Sequence, residues 1–488
     1  MAKTRLTASN KVKVPVHPLC VDLDNTLIKT DSLYEMLLAL IKTNPRALGQ
    51  VPLAMLRGKA YLKKFVLSQC PLAVETMPVN IAVVEYAKQA SNTGRTVVLV
   101  TGANQLLAER VQRHFPFFHE AHGSSEQINL TGSRKAMFLI QRFGKNNFDY
   151  MGDSDVDFKV WAEAKGGVVV SHKPNFISKV KSTFSDKPME VIPIHKNSFR
   201  SLVKMVRPGQ WAKNSLVFVP LVLSHQWNSP DLLGINILAF VAFSALASFV
   251  YVLNDLLDLE NDRRHPTKKH RPVASGDVSI EAGVLTALIL GTLALGVTLF
   301  LPADYAYWAA AYIVLNLAYN LHFKKVFVLD AFVLASFYSL RILAGSAAIS
   351  VEVSHWLIIF STFFFLSLGF LKRYSDLLFV AEKTTETKLS GRSYSQADQN
   401  LLMTAGVVSG FVSILVFALY IYGAESLHFY SQPKFLWGVL FCMLYWITKI
   451  WFNGSHGRVQ DDPVKFALRD RESLFLGLLT LIFLALAV

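Results

Sequence analysis

The chain changes character near residue 200. Before that point, short apolar runs end in polar clusters at 19–22, 96–101, 148–153 and 167–171, and helical patterns at 32–42, 79–91 and 106–114 separate them. Strands alternating with helices predict a parallel, doubly wound sheet, which presents ligand sites at the carboxyl ends of its strands. After residue 213 long apolar runs alternate with short polar loops. A helix needs roughly 20 mostly apolar residues to cross a bilayer. Nine segments are candidates: 213–226, 233–253, 282–301, 304–321, 326–347, 354–371, 401–422, 434–452 and 472–488. The first fits least well by length, because Pro220 interrupts it and Gln226 ends it.

Composition agrees with a membrane protein that carries a soluble domain in front. Hydrophobic residues make up 52% of 488 and charged residues 17%, against roughly 45–50% and 25% in soluble domains. That excludes disorder, a secreted disulfide scaffold and a wholly soluble enzyme. Cys20, Cys70 and Cys442 form no CxxC or Cys/His cluster, which argues against structural zinc or a disulfide framework. Residues 1–18 hold no apolar core of signal-peptide length, so export of the first domain is not expected.

The net charge of +14 is explained by orientation. Lys and Arg crowd the loops after the even-numbered candidates, whereas Lys434 alone serves the odd-numbered ones. The basic loops and the first domain are therefore expected on the cytoplasmic side. No nucleic-acid partner is needed to account for the charge. The expected divisions are a tail at 1–16, an α/β domain at 17–193, a basic interfacial linker helix at 194–212 with Trp211 as anchor, and an all-α polytopic membrane domain at 213–488.

Three polar clusters converge on the expected sheet edge: Asp22-Leu23-Asp24-Asn25-Thr26, Thr101-Gly102 and Gly152-Asp153-Ser154-Asp155-Val156-Asp157. As turn and cap formers these residues need no further role. As an ordered set over 17–175 they resemble the haloacid dehalogenase (HAD) phosphatase superfamily, with its DxDx[TV], a Ser/Thr after the next strand, a Lys and a late GDxxxD. The resemblance implies a HAD-like fold with a helical cap within about 30–94. It implies Asp22 as nucleophile, Asp24 as acid/base, and Thr101 and Lys135 as holders of the phosphoryl group. Mg²⁺ would bind among Asp22, Asp24, Asp153 and Asp157. Lys135 is fixed by no motif, and Arg134 adjoins it. The chemistry suits the residues: a carboxylate attacks phosphorus, a carboxylic acid protonates the leaving oxygen, and a cation screens the anions.

Residues 254–276 read NDLLDLENDRRHPTKKHRPVASG and begin where the second candidate span ends. On a continuing helix Asn254, Asp255, Asp258 and Asp262 share one face. Mg²⁺ prefers one or two carboxylates plus phosphate oxygens, so a diphosphate suits them. Lys268, Lys269 and Arg271 would add the matching positive field. A solvated helix end of mixed charge is the plainer reading. The NDxxDxxxD spacing and the following RPVASG resemble the UbiA superfamily of intramembrane prenyltransferases over about 200–488.

That superfamily usually carries a second Asp-rich motif after span six. Here the loop reads Lys372-Arg373-Tyr374-Ser375-Asp376, without DxxxD. HPTKKHRPVASG and KRYSDL are instead similar to the branch that contains decaprenyl-phosphate phosphoribosyltransferase. The resemblance implies Mg²⁺ and diphosphate at Asn254, Asp255, Asp258 and Asp262. It implies donor or lipid-phosphate contacts from Lys268, Arg271, Arg341, Lys372, Arg373, Tyr374 and Asp376. Arg341, inside the fifth candidate span, is a functional candidate by default, with a structural ion pair as its other reading. The loop 461–471 either closes over the donor or is an ordinary salt-bridged loop.

Together the two resemblances imply a bifunctional enzyme of the bacterial inner membrane acting in cell-envelope biosynthesis, with Mg²⁺ at both sites. Phosphoribosyl diphosphate would donate 5-phosphoribose to a polyprenyl phosphate, and the HAD domain would then remove the 5-phosphate. The alternatives are a prenyltransferase using a prenyl diphosphate, with the HAD domain acting on a related phosphorylated substrate, and a non-catalytic scaffold or transporter. A homo-oligomer stays open.

Overall fold

The computed structural model describes residues 17–70, 73–125, 127–194, 196–383, 392–459 and 462–488. Chain contacts define two compact units, one of residues up to Val206 together with Val252–Thr286, the other of Arg207–Tyr251 with Ala287–Val488. The acidic segment thus groups with the first unit, whereas the sequence division assigns it to the membrane domain.

The first unit is built on six parallel strands: β1 (Leu19–Val21), β2 (Val97–Asn104), β3 (Glu120–Ser124), β4 (Asp149–Gly152), β5 (Gly166–Ser171) and β6 (Met189–Pro193), in the order β3-β2-β1-β4-β5-β6. The central strands are buried on both faces, which is why they read as unbroken apolar runs. Alternate residues feed two cores. Leu19, Val21, Leu99 and Met151 join one, while Cys20, Val98, Tyr150 and Trp161 join the other. The chain leaves β1 for β2 on one side and reaches β4 on the other, so a crevice opens at the carboxyl end of β1.

Helices Ser32–Thr43, Val51–Leu56 and Lys59–Gln69 form the cap between β1 and β2. The expected cap boundary changes at one point. Helix Ile81–Asn92 packs on β1 and β2 through Val83 and Ala87, so it belongs to the sheet layer.

In the second unit and the segments joining it, six helices are long and apolar enough to cross a membrane: Pro230–Leu257, Ile280–Thr298, Leu329–Ile349, His355–Ala381, Gln396–Tyr422 and Pro433–Ser455. Three of the nine expected spans differ. The first becomes a 3₁₀ stretch Pro208–Phe218 followed by the short helix Val219–Leu223, with prolines near the start of each. The fourth and ninth form helices Ala303–Leu321 and Arg471–Ala487. Neither joins the six. Tyr and Asn side chains lower the hydropathy of one, and the other has 17 residues. The linker also differs from a continuous interfacial helix. Helix Phe199–Val206 stops at Arg207 in the left-handed region (φ 58°), before Pro208. Trp211, expected as an interfacial anchor, donates to Ser248 Oγ at 2.9 Å.

Candidate functional site

β1 delivers Asp22 to the crevice. The turn after it is tight: Asn25 adopts φ 56°, and the Ile28 N–H closes on the Leu23 carbonyl. Helix Ser133–Phe143 brings in Lys135, whose ammonium lies 2.9 Å from Asp22 Oδ1 and donates to Tyr150 Oη at 2.7 Å. Tyr150 in turn donates to Asp157 Oδ1 at 2.8 Å. The second oxygen of Asp157 accepts from the Asp153 and Ser154 amides and the Ser154 hydroxyl, which folds the loop after β4 into a capping box. Asp22, Asp153 and Asp157 form the one trio among the described residues whose ligand oxygens all lie within 4.8 Å of one another.

The electrostatics of this crevice are lopsided. Burial, only partly countered by Lys135, raises the proton affinity of Asp22, and burial with the charges of Asp157 and Asp22 does the same to Asp153. Burial alone would depress Lys135, but Asp22, Asp157 and Asp24 hold its ammonium above the ordinary value. Burial and neighbouring Asp31 push Asp24 up to about 7. Carboxylates crowded in this way are what a small divalent cation relieves, and a trio with oxygens this close fits a hard, oxygen-seeking ion such as Mg²⁺.

Asp24 lies outside the trio. Its Oδ1 accepts the Ser32 N–H at the start of the cap helix. Thr101, fully buried on β2, accepts from the Ala103 amide at 3.0 Å. The expected residues thus share one strand edge. Sequence reasoning missed Tyr150, although a tyrosine on the inward face of a buried strand must find a polar partner. It also missed Lys196, which donates to Asn25 Oδ1 at 2.6 Å.

The acidic segment of the first unit departs from the continuous helix expected of it. Helix Pro230–Leu257 ends, Asp258 leaves helical geometry, and helix Leu259–Arg264 follows. The carboxylates still meet a common partner. Arg271 Nη1 lies 2.9 Å from Asp255 Oδ1 and 2.6 Å from Asp262 Oδ2, and Lys42 Nζ lies 3.0 Å from Asp258 Oδ1. The repulsion expected to demand a metal is met here by two cations of the chain. Burial raises the proton affinity of Asp262 despite Arg271. Asp255 and Asp262 are buried and Arg271 is partly exposed. A diphosphate with its cation would therefore have to take over Arg271 from the carboxylates, a role both charges suit.

In the second unit residues 372–376, expected as a loop, continue the helix His355–Lys383 and are also engaged. Arg373 is completely buried and pairs with Asp330, with Tyr319 Oη at 3.0 Å and with Asp376 at 2.9 Å. Lys372 and Arg392 reach Asp376 at 2.8 and 3.1 Å. Tyr374 is buried beside Trp451. Arg373 and Tyr374, expected to contact donor or lipid phosphate, are both buried, and Arg373 faces the carboxylates of Asp330 and Asp376. Arg341 differs. It donates to Asn214 Oδ1 at 2.8 Å and to the Phe337 carbonyl, and its guanidinium lies 5.3–5.8 Å from the ring centres of Phe243, Tyr312 and Tyr338. Among the described residues no ion pair joins it to a carboxylate. Lys213 pairs with Asp462. Asp461 lies outside the described residues.

Residues 215–469 match the UbiA prenyltransferase family. The chain belongs to that family. An uncharacterised protein of Sinorhizobium fredii, y4nM, is 32% identical over 95% of this chain and 89% of its own. A decaprenyl-phosphate phosphoribosyltransferase of Mycolicibacterium smegmatis is 30% identical over 58% of this chain and 91% of its own. A UbiA homologue from Archaeoglobus fulgidus, solved with DMAPP and Mg²⁺, aligns with a TM-score of 0.45 at 15% identity, covering 58% of this chain and 96% of that one. UbiA proteins are integral membrane transferases, and the six apolar helices of this UbiA chain accord with that.

Proposed function

We propose that this UbiA-family chain makes a polyprenyl-phosphoryl-ribose in two steps. In the first, an oxygen of a polyprenyl phosphate attacks C1 of phosphoribosyl diphosphate, the C1–O bond breaks and diphosphate leaves. Asp255, Asp258 and Asp262 would hold Mg²⁺ with the leaving diphosphate, while Arg271 and Lys268 neutralise it. Arg341 and Lys372 would meet the lipid phosphate. In the second step the HAD-like domain removes the 5-phosphate. Asp22 attacks phosphorus, the P–O bond to ribose breaks, and the ribose oxygen takes the proton of Asp24. Water then hydrolyses the aspartyl phosphate, releasing inorganic phosphate and restoring both carboxyl groups. Mg²⁺ at Asp22, Asp153 and Asp157 would screen the phosphate from the attacking carboxylate. Lys135 and Thr101 orient the transferring group.

The observation that carries this reading is the crevice at β1. A carboxylate nucleophile, a buried lysine, a second carboxyl group kept protonatable near neutrality and an acidic trio meet at one strand edge. The relative named decaprenyl-phosphate phosphoribosyltransferase supports the choice of donor and acceptor. The basic loops support a nine-segment topology with both sites facing the cytoplasm. The name of the matched family favours the second reading, a prenyl diphosphate donor.

Mass spectrometry of lipids after incubation with Mg²⁺, phosphoribosyl diphosphate and polyprenyl phosphate tests both steps. The expected product is a lipid-linked ribose without its 5-phosphate. Accumulation of the phosphorylated lipid alone would point the HAD-like domain at another substrate. Turnover confined to a prenyl diphosphate and a small acceptor would establish the second reading.

A further inference from the structure

One helix of the first unit touches both candidate sites. The cap helix Ser32–Thr43 starts on Asp24, whose Oδ1 accepts the Ser32 N–H at 2.8 Å. One turn later Glu35 forms a two-pronged ion pair with Arg263, Nη1 to Oε2 at 3.0 Å and Nη2 to Oε1 at 2.6 Å. Both side chains are buried, 4% and 7% exposed. Lys42 lies two turns beyond Glu35 on the same helix face and reaches Asp258. At 1.5 Å per residue, Ser32 and Lys42 stand about 15 Å apart along the helix.

Arg263 directly follows Asp262, the last aspartate of the acidic motif, and its Nε also donates to the Ala274 carbonyl at 3.0 Å. Glu35 therefore fixes the residue that ties the middle of this segment to its end. The surrounding contact is closely fitted. Gly276 has φ +73°, and a Cβ there would meet Lys29 Cβ at 2.7 Å. Asn197 accepts the Ser279 N–H and donates its own to the Asp277 carbonyl. A carboxylate on a helix is costly to bury without a fixed partner. Glu35 makes sense as a part of the acidic segment, carried by another stretch of chain.

We propose that Glu35 and Lys42 are positioning residues for the diphosphate-binding segment. Glu35 holds Arg263, and so the carboxylate beside it, in register. Lys42 holds Asp258 until a metal–diphosphate takes its place. The helix that starts against the Asp24 side chain in one site thereby organises the other. This inference rests on the transferase reading of the acidic segment.

The test is binding of inorganic diphosphate to the full-length protein in nanodiscs, across a Mg²⁺ series, with hydrolysis of a soluble aryl phosphate followed in parallel. Glu35→Gln is expected to weaken diphosphate binding about tenfold or more, the usual scale for groups that orient metal-site ligands, while aryl phosphate hydrolysis continues. Exchanging the charges, Glu35→Arg with Arg263→Glu, should recover part of that loss. Lys42→Gln, at an exposed position that folding tolerates, should lower the half-saturating Mg²⁺ about two- to threefold because a competitor for Asp258 is gone. Unchanged diphosphate binding in Glu35→Gln together with an unchanged Mg²⁺ curve in Lys42→Gln would overturn the inference. Absence of diphosphate binding in the unaltered protein would instead remove the transferase reading, and this inference with it.

Discussion

The crevice at β1 and the cluster around Arg373 use nearly the same parts and reach opposite results. Each buries one cation against a tyrosine hydroxyl and aspartates: Lys135 with Tyr150, Asp22 and Asp157, and Arg373 with Tyr319, Asp330 and Asp376. In the crevice four carboxylates, those of Asp22, Asp24, Asp153 and Asp157, face Lys135, with Lys196 acting on Asp153 as a second cation. Among the described residues three cations around Asp376, Lys372, Arg373 and Arg392, face two carboxylates. The first arrangement lacks positive charge and the second has it to spare. What a buried polar cluster leaves unbalanced indicates which ligand it is built to receive. The crevice suits a cation carrying phosphate, and the rim around Asp376 suits an anion.

Removing the nucleophile should give the largest effect. Asp22→Asn is expected to slow dephosphorylation at least about a thousandfold, because the covalent step has no substitute. The phosphorylated lipid should then accumulate, as lipid mass spectrometry would show. An unchanged terminal product would take the phosphatase role from this site. Breaking the other cluster should act on stability instead. Asp330→Ala leaves Arg373 buried without its main partner, a change that costs about 3–5 kcal/mol. The thermal midpoint in detergent should fall sharply. A stable protein with reduced turnover would make Asp330 a functional residue.

Packing in the second unit offers a control of middle size, independent of charge. A Cβ on Gly345 would stand 2.0 Å from the Val217 carbonyl oxygen. Gly345→Ala should therefore destabilise by about 1–3 kcal/mol, read as a lower thermal midpoint. An unshifted midpoint would mean that the 3₁₀ stretch at Val217 yields easily. The smallest effect is expected at the rim. Arg392→Gln removes one half-buried cation beside Asp376 and should raise the KM for polyprenyl phosphate about two- to threefold. A drop in that KM would reverse the sign assigned to the rim.

Much of the crevice was legible in the sequence because its residues end strands, and strand ends show as apolar runs stopping at polar ones. Asp22 and Asp153 sit at such stops, whereas β2 continues past Thr101 to Asn104 and Asp157 lies one turn beyond β4. β3 and β6 were not legible, since Glu120–Ser124 and Met189–Pro193 lack a continuous apolar run. Asp330 could have been flagged by the rule that singled out Arg341, as an ionisable residue beside an apolar span. The break at Asp258 has no comparable signal, because periodicity alone extends the helix through it.

The sequence by itself determined the alternation of strands and helices, the apolar segments, the NDxxDxxxD motif and the resemblance to a UbiA transferase, because these depend on neighbours a few residues apart. Only the tertiary structure decided what each charge touches. Glu35 meets Arg263 across 228 positions and Arg373 meets Asp330 across 43, while Arg271 closes on Asp255 and Asp262 where a metal was expected. The physical reason is that a buried charge must be balanced by whatever the fold brings within about 4 Å, and spacing along the chain does not say which group that is.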